Sequence, residues 1–83
     1  MWQVADGVLV TDLEDELVLM HAGQGEMFSL NASGRLLWQA LPATEAELAD
    51  LLTRTFALDA GQAQADVQAV LVALQARDLI RQG

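Results

Sequence analysis

The chain has 83 residues, which is enough for one small hydrophobic core and leaves no room for a second domain. Twelve acidic residues face four arginines and no lysine, giving a formal net charge of −8 that argues against a nucleic-acid partner, because phosphate binding needs a basic surface. The absence of cysteine and the single histidine, His21, argue against disulfides, thiolate metal sites and nucleophilic catalysis, so we expect no cofactor.

No apolar run reaches the ~18 residues that a membrane span needs. The N-terminus also lacks the basic flank and apolar centre of a signal peptide. We therefore expect a cytoplasmic protein with no membrane partner. Apolar residues nevertheless make up 53% of the chain, more than so small a domain buries, and an exposed apolar patch usually marks a binding surface.

The first half of the chain is predicted to form three short strands. Residues 8–11 and 17–20 are apolar runs on either side of an acidic turn at residues 12–16, and residues 26–30 follow a loop with two glycines. Short runs with short connections are typical of an antiparallel meander. Residues 2–4 add either a fourth short strand or an indole that packs on the sheet, and the residues alone leave both open.

The second half is predicted to form three helices. Asn31 is a favoured N-cap for a first helix over residues 32–41, which ends before Pro42. Thr44 and Glu47 have the spacing of a capping box at the start of a second helix. The predicted buried stripe of this second helix consists of Leu48, Leu51, Leu52 and Phe56.

A third helix is predicted after Asp59, which with Gln62 forms a cap of the same kind. Its apolar stripe, with helical spacing, consists of Val67, Val70, Leu71 and Leu74. Residues 79–80 are predicted to fold back on the core. Strands followed by helices indicate one α+β domain over residues 1–83, a three-stranded antiparallel sheet followed by three helices.

Three features of the sequence are candidates for a functional site. The acidic turn at residues 12–16 is a candidate calcium loop, but it has no central glycine or closing glutamate, and a solvated turn is favoured. The last two helices are a candidate helix-turn-helix, but the would-be recognition helix has Asp59, Asp66 and Asp78 near a lone Arg77, and this charge would repel DNA.

The third feature is the strand at residues 26–30, which would lie at one edge of the meander. Exposed edges are usually protected by lysine, proline or a bulge, and this one offers Met27, Phe28 and Leu30 instead. Such an edge aggregates, is covered by the chain itself, or accepts an added strand from a partner. Because side chains alternate along a strand, Phe28 and Leu30 share one face and Met27 and Ser29 the other.

The order of these motifs resembles that of PqqD-like recognition elements, small domains that bind the leader peptides of ribosomally made natural products. The most specific part is Leu-Asn entering a helix, followed by Ser-Gly and Leu-Trp, at residues 30–38. The resemblance extends over residues 6–10, 17–20, 25–31, 33–38, 47–52 and 66–80. The short, free-standing chain is most similar to the leader-binding partner proteins of lasso-peptide pathways.

The resemblance implies a winged-helix-like fold, no catalysis, and a precursor leader that adds as a strand beside the third strand and lies against the third helix. A separate processing enzyme, in lasso pathways a leader protease, then acts on the precursor. The expected leader-binding residues are Glu26, Met27, Phe28, Ser29, Leu30, Asp66, Val67, Val70, Leu71 and Leu74, of which about half of the apolar helix residues are expected to serve the core alone.

Two alternatives stay open at this point. The domain can serve a different pathway of the same type, for example one with a radical enzyme as partner. It can also be a general adaptor, or a homodimer that pairs edge to edge.

Overall fold

The structure, a computed structural model that describes all 83 residues, has five strands and three helices. In chain order they are β1 (Trp2–Val4), β2 (Val8–Asp12), β3 (Leu17–His21), β4 (Met27–Leu30), α1 (Ala32–Ala40), α2 (Glu45–Phe56), α3 (Ala60–Ala76) and β5 (Ile80–Gln82). The predicted α+β fold, a three-stranded sheet followed by three helices, is confirmed. A second, two-stranded sheet is added to it.

The meander β2-β3-β4 is antiparallel throughout. Val10 of β2 lies opposite Leu19 of β3, and Leu19 lies opposite Phe28 of β4. Leu19 is fully buried, so this row of side chains faces the helices. The third predicted strand corresponds to β4, which begins at Met27, so Glu26 belongs to the preceding loop.

All three predicted helix caps are present. The Asn31 side chain accepts a hydrogen bond from the Gly34 amide (3.0 Å), and Asp59 accepts one from the Gln62 amide (2.8 Å). Thr44 and Glu47 form a reciprocal capping box, with bonds of 3.1 and 2.9 Å. These side chains satisfy amides that the first turn of a helix leaves without partners, which explains why the three starts were predictable.

The two ends of the chain pair with each other. Trp2 lies opposite Gln82 and Val4 opposite Ile80, so the N-terminal segment is a strand whose partner is the C-terminal tail. The Trp2 amide also donates to the Ala43 carbonyl (2.8 Å), and the Ala43 amide donates back (3.0 Å). Leu79 and Ile80 are buried, as predicted for a tail that folds back on the core. Strand β5 itself was not predicted.

The core lies between the inner face of the meander and the three helices. Its buried apolar side chains come from β3, β4, all three helices, the connection between α1 and α2, and the tail: Leu17, Leu19, Leu30, Leu37, Trp38, Ala43, Leu48, Leu52, Ala63, Val67, Leu71, Leu74, Leu79 and Ile80. The prediction that Phe56 is buried is wrong, since the side chain is 43% exposed. It is the last residue of α2, just before Ala57, whose φ of 55° turns the chain away toward α3.

Candidate functional site: the β4 edge and its groove

Strand β4 is an edge of the meander, because β3 is its only neighbour in the sheet. No other segment of the chain pairs with its outer side. The edge also has no lysine, proline or bulge, the usual features that prevent pairing with another chain. The sequence left open whether this edge is covered, and the structure shows that it is open.

The hydrogen-bond pattern shows which backbone groups of β4 face outward. The bonds from Ala22 to Gly7 (2.8 Å) and from Leu13 to Glu16 (2.9 Å) lie just beyond the two ends of the β2–β3 ladder. In an antiparallel pair hydrogen-bonded positions alternate, so the even-numbered residues of β3 bond to β2 and the odd-numbered residues bond to β4. The bond from the Gly25 amide to the His21 carbonyl (2.8 Å) agrees with this alternation.

Phe28 and Leu30, opposite Leu19 and Leu17, therefore direct their backbone groups into the sheet. Met27 and Ser29 direct theirs outward, and neither takes part in any turn, cap or side-chain hydrogen bond. The edge thus presents two amides and two carbonyls. If a guest strand adds to this segment, as the resemblance implies, the backbone groups of β4 that are free to pair with it are those of Met27 and Ser29.

A groove of about 310 Å³ runs between β4 and α3. Its strand side consists of Phe28, Ser29, Leu30 and Asn31, and its helix side consists of Ala69, Val70 and Ala73. Phe28 is half-buried against the core and Leu30 is buried, so the inner face of β4 forms the floor. An added strand beside Met27 and Ser29 would place alternate side chains in this groove.

A larger depression of about 480 Å³ lies elsewhere, between α2 and the start of α3. Glu45, Asp50, Thr53 and Gln64 are among the residues that line it, and no strand edge borders it. Its lining is more polar than that of the groove beside β4, and it has no unpaired strand backbone beside it.

The predicted stripe of α3 is divided between the core and the groove. Val67, Leu71 and Leu74 are 0%, 5% and 1% exposed and pack in the core, so they are not part of the groove lining. Val70 is half-buried and lines the groove. Core-facing and groove-facing residues occupy adjacent faces of the same helix, and helical spacing alone does not separate them.

Sequence reasoning missed Ala69 and Ala73, which line the groove on either side of Val70. Their small side chains leave the space that the groove occupies. The sequence did contain one indication of the groove, since alanines and not charged residues lie beside the apolar stripe of α3 on this side. Asp66, one turn before Val70, is half-exposed and accepts a hydrogen bond from the Gln62 side-chain amide (2.9 Å).

Sequence reasoning also missed the position of Arg77. Its guanidinium lies over the ring of Phe28, 4.2 Å from the centroid, a cation–π contact across the groove end. Its Nη1 donates to the Ala73 carbonyl (3.2 Å), one turn back on α3. No sequence pattern links position 77 to position 28, and only the packing of α3 beside β4 brings them together.

The acidic turn is tied to α1 through one carboxylate. Asp12 accepts two hydrogen bonds from the Arg35 side chain (2.9 and 3.0 Å) and one from the Glu14 amide (2.8 Å). The bonds from Arg35, and then the one from Glu14, lower the pKa of Asp12, because they favour the charged carboxylate. Nowhere in the chain do three histidine, aspartate or glutamate side chains converge as metal ligands, and no helix is long and apolar enough to span a bilayer.

Two solved structures share this fold. One is TbiB1 in complex with the TbiA(beta) leader peptide, with a TM-score of 0.90 and 26% identity over 98% of this chain and 96% of that one. The other is a lasso peptide synthetase B1 complexed with the leader peptide, with a TM-score of 0.85 and 22% identity over 98% of each chain. A comparison with curated protein sequences found no match.

The sequence comparison with protein families gives one result. The family model of coenzyme PQQ synthesis protein D, PqqD, matches residues 16–80. This span contains β3, β4, all three helices and the first residue of β5, and so includes both sides of the groove. The chain therefore belongs to the PqqD family, and its resemblance to PqqD-like recognition elements is confirmed.

Proposed function

We propose that this domain binds the leader segment of a ribosomally made precursor peptide, which adds as a strand to β4 and places side chains in the groove against α3. The observation that carries this proposal is the open edge at Met27 and Ser29, directly beside an apolar groove. Unpaired strand backbone supplies affinity for any extended peptide, and the adjoining groove selects among side chains. In the similar structure of TbiB1, the bound partner is a leader peptide.

The energetics fit a flexible guest. Ordering a disordered segment on binding costs about 2–5 kcal/mol of the gross interaction. Burying one leucine-sized side chain in the groove contributes about 1.5–3 kcal/mol, and each backbone hydrogen bond adds about 0.5–1.5 kcal/mol. One or two apolar anchors together with the four outward groups of Met27 and Ser29 therefore suffice for stable binding.

The groove and the core stripe have different roles in this proposal. Phe28, Leu30 and Val70, with Ala69 and Ala73, contact the guest side chains. Val67, Leu71 and Leu74 act from beneath, because they hold α3 at the distance from the sheet that keeps the groove open. Glu26 directly precedes β4 and Asp66 lies one turn before Val70 on α3, so both are outside the groove lining but can meet polar groups of the leader.

The domain does not itself transform the peptide in this proposal. It presents the precursor, in the cytoplasm, to a separate processing enzyme, which for a lasso pathway is a leader protease. A radical enzyme in another pathway of the same type is the alternative partner. The fold and the groove are the same in both cases, so the partner enzyme distinguishes them.

The test is an NMR titration of the labelled protein with synthetic lasso-precursor leader peptides, beginning with the TbiA(beta) leader. We expect amide shifts concentrated at residues 27–31 and 66–77. Phe28→Ala should weaken binding about 10-fold or more, because it removes the aromatic part of the groove floor. The matched control is Phe56→Ala, since Phe56 is the other phenylalanine of the chain and lies on α2, outside the groove.

Shifts on another surface, or equal affinities for the two alanine variants, would contradict the proposal. Light scattering without peptide tests the remaining alternative, a homodimer through β4. A mass that doubles with concentration, and that Met27→Pro returns to the monomer value, would favour the dimer over leader binding.

A further inference from the structure

The face of α3 that borders the groove has opposite charges at its two ends. Asp66, Val70, Ala73 and Arg77 follow at intervals of four, three and four residues, so they lie on one side of the helix. Val70 and Ala73 line the groove in the middle. Arg77 lies at the Phe28 end, and Asp66 lies about two turns beyond Ala73 toward the opposite end.

Arg77 differs from the other three arginines of the chain. Arg35 pairs with Asp12, Arg54 with Asp50 and Arg81 with Asp6, whereas no carboxylate lies within 4.0 Å of Arg77. In a chain with twelve acidic residues, the one arginine without an acidic partner is thus the one at the groove. The Phe28 ring covers one face of the Arg77 guanidinium, and the Ala73 carbonyl accepts one of its N–H groups.

A guanidinium has five N–H donors in a planar fork that matches a carboxylate. Four of those donors have no protein partner at Arg77. The stacking on Phe28 and the bond to Ala73 hold the group in place, so little side-chain freedom is lost when a carboxylate binds. The Arg77 guanidinium is therefore preorganised to bind an anionic group of the guest peptide.

We propose that Arg77 is a specificity-determining residue that binds an acidic side chain of the guest peptide, while Asp66 binds a basic one at the other end. This inference rests on the proposed function and adds the charge pattern of the substrate. The two charges fix both the direction and the register of the guest, which the uniform backbone of β4 does not distinguish.

The spacing of the guest charges follows from the helix. The eleven residues from Asp66 to Arg77 rise about 16 Å, because each helical residue adds 1.5 Å. An extended strand covers that length in about five residues, and side chains on one face are an even number apart. The guest should therefore have an acidic and a basic residue about four or six positions apart, with an apolar residue between them.

A displayed library of random twelve-residue peptides tests this pattern, selected separately on the wild type, Arg77→Glu, Arg54→Glu and Met27→Pro. Arg54→Glu changes the net charge by the same amount as Arg77→Glu but lies on α2, away from the groove. Met27→Pro removes an outward amide and identifies the peptides that need the β4 edge. Binding of individual peptides is then measured by fluorescence anisotropy.

We call the peptides that bind the wild type but not Met27→Pro edge-dependent. We expect those selected on the wild type to have aspartate or glutamate at one fixed distance from the apolar residue. Arg77→Glu should weaken them about 10-fold, as expected for one lost charge-assisted bond, and should select lysine or arginine at that position. Arg54→Glu should change neither the affinity nor the selected sequences.

The same selection separates this inference from the proposed function. If Arg77→Glu leaves the affinity for the edge-dependent peptides unchanged, or if Arg54→Glu lowers it equally, the inference about Arg77 is wrong but the proposed function is not affected. If the wild type captures no more peptide than Met27→Pro, both the inference and strand addition to β4 are wrong.

Discussion

The meander has two free edges, β2 and β4, and they differ in what lies beside them. By the same alternation that exposes Met27 and Ser29, the backbone groups of Val8 and Val10 point outward from β2. Leu9 and Val10 are 54% and 47% exposed, so this edge is as apolar as β4. No cavity of the molecule, however, is lined by a β2 residue.

The difference shows that an open edge alone is not a recognition site. Strand β2 packs chiefly on β3, and its end is fixed by the Asp12–Arg35 ion pair. Strand β4 instead lies beside α3, whose small residues Ala69 and Ala73 leave a groove. A strand added at β4 can bury side chains in the groove and also form backbone hydrogen bonds, whereas a strand added at β2 can form only the backbone hydrogen bonds. Those hydrogen bonds alone barely offset the free-energy cost of ordering a flexible peptide.

The largest expected difference between the two edges is in stability. Leu30→Ala should lower the free energy of unfolding by about 2–5 kcal/mol, because the side chain is buried in the core. Val10→Ala on the other edge should lower it by less than about 1 kcal/mol, since half of that side chain is already in water. Urea denaturation followed by tryptophan fluorescence measures both. Equal losses would mean that the two edges are equally anchored.

The second difference concerns peptide affinity. Met27→Pro should weaken leader binding about 10- to 100-fold, because it removes an outward amide and leaves the guest carbonyl without its partner. Val10→Pro removes an outward amide from β2 and should leave the affinity unchanged. Calorimetric titration of both variants, with circular dichroism to confirm folding, makes the comparison. Equal weakening by the two would show that the guest does not prefer β4.

The third comparison tests the groove itself. Ala73→Leu should weaken leader binding about 10-fold, since the larger side chain fills space that a guest residue would occupy. Ala65→Leu is the matched control, because it places the same side chain on an exposed position of α3 outside the groove. Fluorescence anisotropy with a labelled leader measures both. Tighter binding to Ala73→Leu would mean that the groove takes no side chain.

The smallest effect concerns the anchor of the β2 edge. Because Arg35 and the Glu14 amide lower the pKa of Asp12 in the folded protein, the unfolded chain takes up a proton first as the pH falls. The stabilisation is present above the ordinary carboxyl value of 3.8 and is lost as the pH falls through the lower folded value. Asp12→Asn should therefore be less stable than the wild type at pH 6, with a gap that narrows toward pH 2.

Urea denaturation at a series of pH values measures that gap. Peptide binding at neutral pH should be the same for Asp12→Asn as for the wild type, because Asp12 lies outside the groove. A stability gap that widens with falling pH would contradict the sign expected from the lowered pKa of Asp12.

Much of the fold was predictable because its determinants are local. Asn31, Thr44 and Asp59 each cap a helix through an amide within three residues, and the three strands are separated by short turns. The exposure of Phe56 and the pairing of β1 with β5 were not predictable. Both depend on how distant segments meet, and neither a helical period nor a three-residue strand contains that information.

The site was partly predictable for the same reason. The lack of protecting residues along β4 and the alternation that places Phe28 and Leu30 on one face are properties of consecutive residues. The division of the apolar stripe of α3 between core residues and groove residues was not predictable. Val67 and Val70 belong to the same stripe and differ only in whether they face the core or the groove.

The sequence by itself determined the three strands of the meander, the three helices with their caps, and the apolar edge, because each is set by neighbouring residues. The tertiary structure decided that the edge is open, that Ala69 and Ala73 leave a groove beside it, and that Arg77 stacks on Phe28. Those features arise where residues about forty or more positions apart come into contact, and the packing of α3 against the sheet sets that distance.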